Sequence, residues 1–197
     1  MEQYVITISR QFGSMGRSIA KELSTILGIE FMDRDIVEAT AKRMGLPVSV
    51  ISDEEESMKS NFFRRQYPLG MGMSSLKDEI FYTQKNIIRD FAAKGSCIIV
   101  GRCADYILED LPNHLNVYIY APDEARLKNC VENLQMDPQT AKKMMRDVDA
   151  ARNRYHKAYI PGWQSVFDHK DLMIDSSRFG IDGTAKILAD IVKNQWG

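Results

Sequence analysis

Val5-Ile6-Thr7-Ile8-Ser9-Arg10-Gln11-Phe12-Gly13-Ser14-Met15-Gly16-Arg17-Ser18-Ile19-Ala20 decides the fold. An apolar run ends in a glycine-punctuated turn, and a helical pattern begins at once. That is the layout of a phosphate cradle: buried strand, bent loop, helix N-terminus. Small residues let backbone N–H groups close around an anion without obstruction by Cβ atoms. Against the phosphate-loop pattern G-x-x-x-x-G-K-[ST], the end fits as Gly16-Arg17-Ser18, with Gln11 in place of the first Gly and Arg17 in place of the Lys. Arg17 keeps the positive charge and adds a planar fork of donors suited to phosphate.

Outward from this stretch, short apolar runs at residues 4–9, 29–32, 97–100, 116–120 and 172–175 read as buried parallel strands. Helical patterns lie between them, over 17–27, 36–44, 75–93, 123–134, 138–159 (as one helix or two) and 183–196. Gly28, Gly45 and Gly95 stand where three of them should stop. Strands alternating with helices predict an α/β fold, a doubly wound parallel sheet with its ligand at the carboxyl ends of the strands. Residues 52–74 break the alternation with acidic, basic and Gly/Pro blocks in turn, and read as an insertion over a substrate.

Bulk properties fit one domain spanning 1–197. Net charge is −1, so no global field points to nucleic acid or a membrane surface. No apolar run approaches the ~20 residues that span a bilayer. Cys97, Cys103 and Cys130 are too scattered for a disulfide framework or a zinc site. The chain opens directly in a strand pattern, with no signal peptide, so a reducing cytoplasm is the expected compartment. A monomer or weak homo-oligomer is expected, with small molecules as partners.

Three further segments could carry chemistry. Phe31-Met32-Asp33-Arg34-Asp35 follows the second strand: Asp33 would face the cradle and orient an acceptor, while Asp35 is a natural N-cap. Gly101-Arg102-Cys103-Ala104-Asp105 follows the third: Arg102 is a natural second phosphate clamp, and Cys103 and Asp105 read as a small buried residue and a cap. Residues 142–157 hold six Lys or Arg against two Asp, which makes this the most basic region. Within it Asp149 and Arg152 sit three apart, one turn beyond Arg146, on a helix that could close on a transferring phosphate. His114, His156 and His169 show no triad or metal spacing.

With these residues placed, the chain resembles the cytidylate kinase-like family of small P-loop proteins, relatives of the nucleoside monophosphate kinases. The resemblance rests on Ile8 to Arg17, Phe31 to Ile36, Ile99 to Leu108, Asp149 to Tyr155 and Leu172-Met173-Ile174-Asp175-Ser176-Ser177. It implies a three-layer fold with a five-stranded parallel sheet, an acceptor-binding insertion over 52–80 and an Arg-rich lid over 136–160. It also implies transfer of the terminal phosphoryl of ATP, with magnesium, to CMP or a related monophosphate. Gly13, Ser14, Met15, Gly16, Arg17 and Ser18 would hold the ATP phosphates, with Ser18 reaching the metal. Asp33 would face the acceptor, Arg102 would clamp its phosphate, and Arg64 or Arg65 would add a contact. Arg146 and Arg152 would stabilise the transferring group, and Asp149 would position them or the acceptor.

Three departures stand out. Cytidylate kinases carry Lys where Arg17 stands and Asp where Cys103 stands, and their base-recognising insertion is not recognisable here. The Phe-x-Asp-x-Asp segment also resembles that of shikimate kinases, which suggests a small hydroxylated acceptor as the alternative. Arg17 in place of Lys keeps open a nucleotide-binding module without catalysis.

Overall fold

The structure, a computed structural model, describes residues 2–56 and 73–197. Its central strand is the opening apolar run. In β1 (Val5–Arg10) the residues Val5 to Ser9 are all buried, without the alternation of a half-exposed strand. Such a strand needs cover on both faces and a partner on both edges. It has both.

The elements follow in order: β1, α1 (Gly16–Leu27), β2 (Glu30–Met32), α2 (Asp35–Met44), α3 (Val48–Glu56), α4 (Met73–Ala92), β3 (Cys97–Val100), α5 (Ala104–Ile107), β4 (His114–Tyr120), α6 (Asp123–Glu132), α7 (Pro138–Tyr159), β5 (Leu172–Asp175) and α8 (Ser176–Trp196). The strands form one sheet in the order β2-β3-β1-β4-β5, and every neighbouring pair is parallel. From β1 the chain crosses towards β2, and from β4 it crosses the other way to β5. The neighbours β1 and β4 therefore flank a switch point, where a crevice opens at the carboxyl ends of the strands.

Two cores hold the layers together. On one face Ile6, Ile8, Ile98, Val117 and Ile119 pack with α1 and α8. On the other, Val5, Cys97 and Ile99 pack with Ile36, Phe81, Ile88 and Ile107. Each fully buried large aliphatic contributes about 1.5–3 kcal/mol. This is the three-layer α/β arrangement expected from the sequence. Trp196 stacks on Tyr4 at 5.3 Å between ring centroids and seals the first core. The three cysteines are buried free thiols.

The details depart from expectation in three places. Residues 48–56 form a helix, although the acidic run shows no helical period; Ile51 is its buried anchor. The basic segment, by contrast, takes one of its two expected forms, a single helix, α7, whose N-cap Asp137 accepts from Gln139 N–H at 3.1 Å and Thr140 N–H at 2.8 Å, with Pro138 in the first turn. The last helix begins at Ser176, well before residue 183, and breaks at Gly180, where ψ is −171°. Asp35 is not the cap of α2: Arg34 takes that place without a side-chain bond, and Asp35 lies inside the first turn, where its charge favours the helix dipole. Arg64 and Arg65 lie outside the described residues, as does most of the expected insertion. Among the described residues no helix is long and apolar enough to cross a membrane.

Candidate active site

The turn between β1 and α1 is held from outside by its carbonyl groups. Arg126 Nε donates to the Phe12 carbonyl at 2.8 Å, and Asn129 Nδ2 to the Gly13 carbonyl at 3.0 Å. Ser176 Oγ donates to the Ser14 carbonyl at 2.8 Å. The Ser14 hydroxyl is buried 2.9 Å from the Gln11 carbonyl and 3.1 Å from that of Ile119. Gln11, standing where a phosphate loop has its first Gly, accepts the Ala121 N–H at 3.1 Å and fixes the turn to β4. A Cβ at Gly13 would lie 2.8 Å from the Cys130 sulfur and 2.9 Å from the Arg126 carbonyl, and φ there is +78°, so both space and backbone require Gly.

With the carbonyls tied down, the donors are left over. Met15 caps α1 in the left-handed region at φ 61°, with no side-chain cap. Among the described residues no hydrogen bond takes the N–H of Gly13, Met15, Gly16, Arg17 or Ser18. Uncapped first-turn N–H groups carry the positive end of the helix dipole. The result is a run of unspent donors at the N-terminus of α1, the arrangement that suits an anion.

The loop is also wired to α7. Asp149 accepts the Phe12 N–H at 2.7 Å and pairs with the buried Arg126. Arg152 Nη1 donates to the Arg10 carbonyl at 2.9 Å, and lies 3.8 Å from Asp149. Asp33, at the end of β2, is buried and pairs with Arg17 at 2.9 Å and Arg10 at 3.5 Å.

A cavity of about 600 Å³ opens beside the loop. Arg10, Asp33, Gly101, Arg102 and Tyr118 line its floor at the strand ends, and Asp149, Arg152 and His156 of α7 line its wall. Its charge is positive at the floor. Arg152, Arg102 and Arg17 all act on Arg10 against the single carboxylate of Asp33, and burial together with these neighbours pushes Arg10 down to about 9. It stays protonated at neutral pH, so it is a cation held at a cost that a bound anion would relieve. Arg152 is lowered too, by burial first, with Asp149 opposing. Gly101, at φ +79°, leaves room for Arg10: a Cβ there would overlap its guanidinium.

The structure thus brings Asp33, Arg102, Asp149 and Arg152 to one cavity, with Arg17 tied to its edge through Asp33. Arg146 is different: it is exposed on α7 and does not line the cavity. Met145 and Ala141 bury themselves against Cys130 of α6, which turns Arg146 outward. Ser14 is not among the unspent donors: its hydroxyl is on the Gln11 and Ile119 carbonyls and its N–H lies 3.4 Å from the Gln11 carbonyl. Ser18 is half-buried in the first turn of α1. Sequence reasoning gave no role to Arg10, Arg126, Asn129 or Lys170. Arg10 had a signal, as a charge ending an otherwise buried strand; Arg126 and Asn129 had none, since their targets lie 114 and 116 residues away.

A model of the cytidylate kinase-like family matches residues 5–178. The chain belongs to the cytidylate kinase-like family. Its fold recurs in solved structures. An uncharacterized protein from Eubacterium ventriosum is 25% identical, with TM-score 0.72 over 97% of this chain and 99% of that one. Shikimate kinase from Bacteroides thetaiotaomicron is 11% identical, with TM-score 0.60 over 98% and 99%. Shikimate kinase from Acinetobacter baumannii, in complex with shikimate, is 14% identical, with TM-score 0.55 over 99% and 96%. At these identities the shikimate kinases show a shared fold alone. No curated protein matches the sequence.

Proposed function

We propose that this cytidylate kinase-like protein transfers the terminal phosphoryl of ATP to a nucleoside monophosphate, CMP or dCMP first. The observation that carries the reading is the loop after β1, whose carbonyls are bonded from outside while the N–H groups of Gly13, Met15, Gly16, Arg17 and Ser18 are unspent. Such a run of donors suits a triphosphate tail, and the neighbouring arginine cavity suits a second phosphate.

In this reading Arg17 leaves Asp33 for the ATP phosphates, and Arg102 with Arg10 holds the acceptor phosphate. Arg152 sits between the two and meets the charge on the equatorial oxygens of the transferring group. Asp149 positions rather than reacts: it fixes Arg126 and the Phe12 amide, and so the shape of the loop. Asp33 balances Arg10 and Arg17 until substrate arrives and then orients the acceptor. Arg64 and Arg65 belong to the proposed acceptor-binding insertion, and 136–160 to the proposed lid, whose turning would be needed to bring Arg146 in. Among the described residues no group of three or more His, Cys, Asp or Glu could hold a metal. Magnesium would therefore rest on the Ser18 hydroxyl, water and the nucleotide's own oxygens, which is a common mode for this ion. It would supply charge neutralisation at the transferring phosphoryl.

A hydroxylated acceptor of the shikimate type is the second reading, supported by Asp33 at the cavity. Asp35, the other acid of that segment, is exposed on α2 and away from the cavity, which favours the monophosphate. A coupled assay of ADP release with CMP, dCMP, UMP, AMP and shikimate tests the proposal. Turnover with CMP or dCMP is expected. Turnover with another acceptor alone overturns the assignment of the base, and ATP binding without acceptor-dependent ADP release makes the protein a binding module.

A further inference from the structure

The cavity carries a second set of polar groups, beside the arginines, that phosphoryl transfer leaves unused. Nδ1 of His156 lies 2.9 Å from the Arg152 carbonyl. A carbonyl only accepts, so Nδ1 carries the proton and Nε2 of the neutral ring is an acceptor. Among the described residues no hydrogen bond reaches Nε2, and His156 lines the cavity. Lys170 lines it too, with a side chain only 3% exposed. Of its three N–H donors, one goes to Asp105 and one to the Asp168 carbonyl at 3.0 Å, which leaves the third without a protein acceptor. The partner carboxylate is unfinished as well: Asp105 Oδ1 is buried with no hydrogen bond. Buried polar atoms are seldom left this way. Beside them, the Trp163 ring lies 5.8 Å from that of His156, and Trp163 and Val166 give the wall a flat apolar surface.

We infer that His156 and Lys170 form the subsite that reads the acceptor's heterocycle, an amino-substituted pyrimidine ring: Nε2 of His156 accepts its exocyclic N–H, and Nζ of Lys170 donates to its neighbouring acceptor atom. The inference rests on the cavity being the acceptor site. Cytosine presents an amine beside an acceptor nitrogen, and uracil reverses both. The pair therefore favours cytosine while His156 is neutral. Burial keeps it so, as the main cause that lowers its pKa; Asp105 of α5 and the hydrogen bond to the Arg152 carbonyl oppose it, and Lys170 before β5 and Arg10 of β1 add a smaller lowering. On protonation Nε2 becomes a donor, and the preference shifts towards the uracil carbonyl.

The test is calorimetric titration of the full chain with CMP and UMP, each beside a non-hydrolysable ATP analogue, at about pH 8 and about pH 5.5, either side of the usual imidazole range. Ionisation of the nucleotide phosphate is common to both ligands and cancels in their ratio. The expected result is CMP binding at least about tenfold tighter than UMP at the higher pH, since a site built around hydrogen bonds rejects a ligand that leaves them unpaired. The ratio should shrink as His156 takes up its proton, followed by imidazole NMR on the same samples, and His156→Phe should bring it close to one throughout. A ratio that stays the same once the ring is protonated, or the same in the variant, overturns the inference. If the variant fails to fold, the pH series on the unaltered protein decides. Equal binding of both nucleotides removes the base subsite and leaves the acceptor-phosphate reading intact. Failure of both to bind removes the acceptor reading itself.

Discussion

Nε of Arg17 lies 2.9 Å from Oδ2 of Asp33. The cation at the start of α1 is thus held on the carboxylate at the end of β2, which it shares with Arg10 at 3.5 Å. Arg17 is 55% exposed while Asp33 is 8% exposed, so the flexible partner is the one able to leave. An arginine can reach further from that position than a lysine and can grip two oxygens at once.

Separating the pair should split binding from transfer. Arg17→Ala or Arg152→Ala should lower turnover by roughly 10³, the scale that phosphate-clamping groups supply. Asp33→Asn, which removes the competing carboxylate, should tighten ADP binding while slowing transfer. Calorimetry with steady-state kinetics reads both. Weaker ADP binding in Asp33→Asn would contradict this account of the pair.

Asp149 is predicted to matter for stability as much as for rate. Replacing it with Ala removes one of the two carboxylates on Arg126, whose side chain is 5% exposed, and leaves it the exposed Asp123 at 3.2 Å. A buried charge left so incompletely paired costs about 1–3 kcal/mol. Urea denaturation should show that loss. The amide of Phe12 should also exchange its hydrogen faster, since its carboxylate acceptor is gone.

Gly101→Ala should act through Arg10. The added methyl overlaps the guanidinium, and the backbone at φ +79° is unfavourable for any side chain. A stability loss of about 1–3 kcal/mol is expected from the strain alone. Displacing Arg10 should also weaken binding of inorganic phosphate or CMP by roughly tenfold or more, as expected for a lost charge-assisted contact. Titration of the variant checks this.

Stability should fall on mild acidification. The folded pKa of His156 lies below its usual 6.5, so the unfolded chain takes up a proton first as pH drops. Its contribution is complete above about 6.5 and is lost as pH falls from there through the lower folded value. Melting temperatures measured across this range should decline, and His156→Phe should flatten the slope.

The architecture was legible because β1 and β3 are largely apolar runs and because Gly28 and Gly45 stand where α1 and α2 stop. The residues at the strand ends followed from it: once the strands are parallel, Asp33 and Arg102 must share an edge. The helix faces were harder. Spacing puts Arg146, Asp149 and Arg152 near one another, but which side of α7 meets the cavity is set by Ala141 and Met145 packing on Cys130 of α6. No local pattern records that choice. Nor does any pattern show that Arg126 and Asn129 hold the carbonyls of a loop more than a hundred residues earlier. Residues 48–56 escaped notice because an acidic run carries no apolar stripe beyond Ile51.

The most direct measurement is a crystal grown with a non-hydrolysable ATP analogue and CMP. The account predicts the triphosphate tail on the N–H groups of Gly16, Arg17 and Ser18, with Arg17 swung off Asp33 and the CMP phosphate between Arg10 and Arg102. A triphosphate bound elsewhere, with the Arg17–Asp33 pair intact, would contradict it.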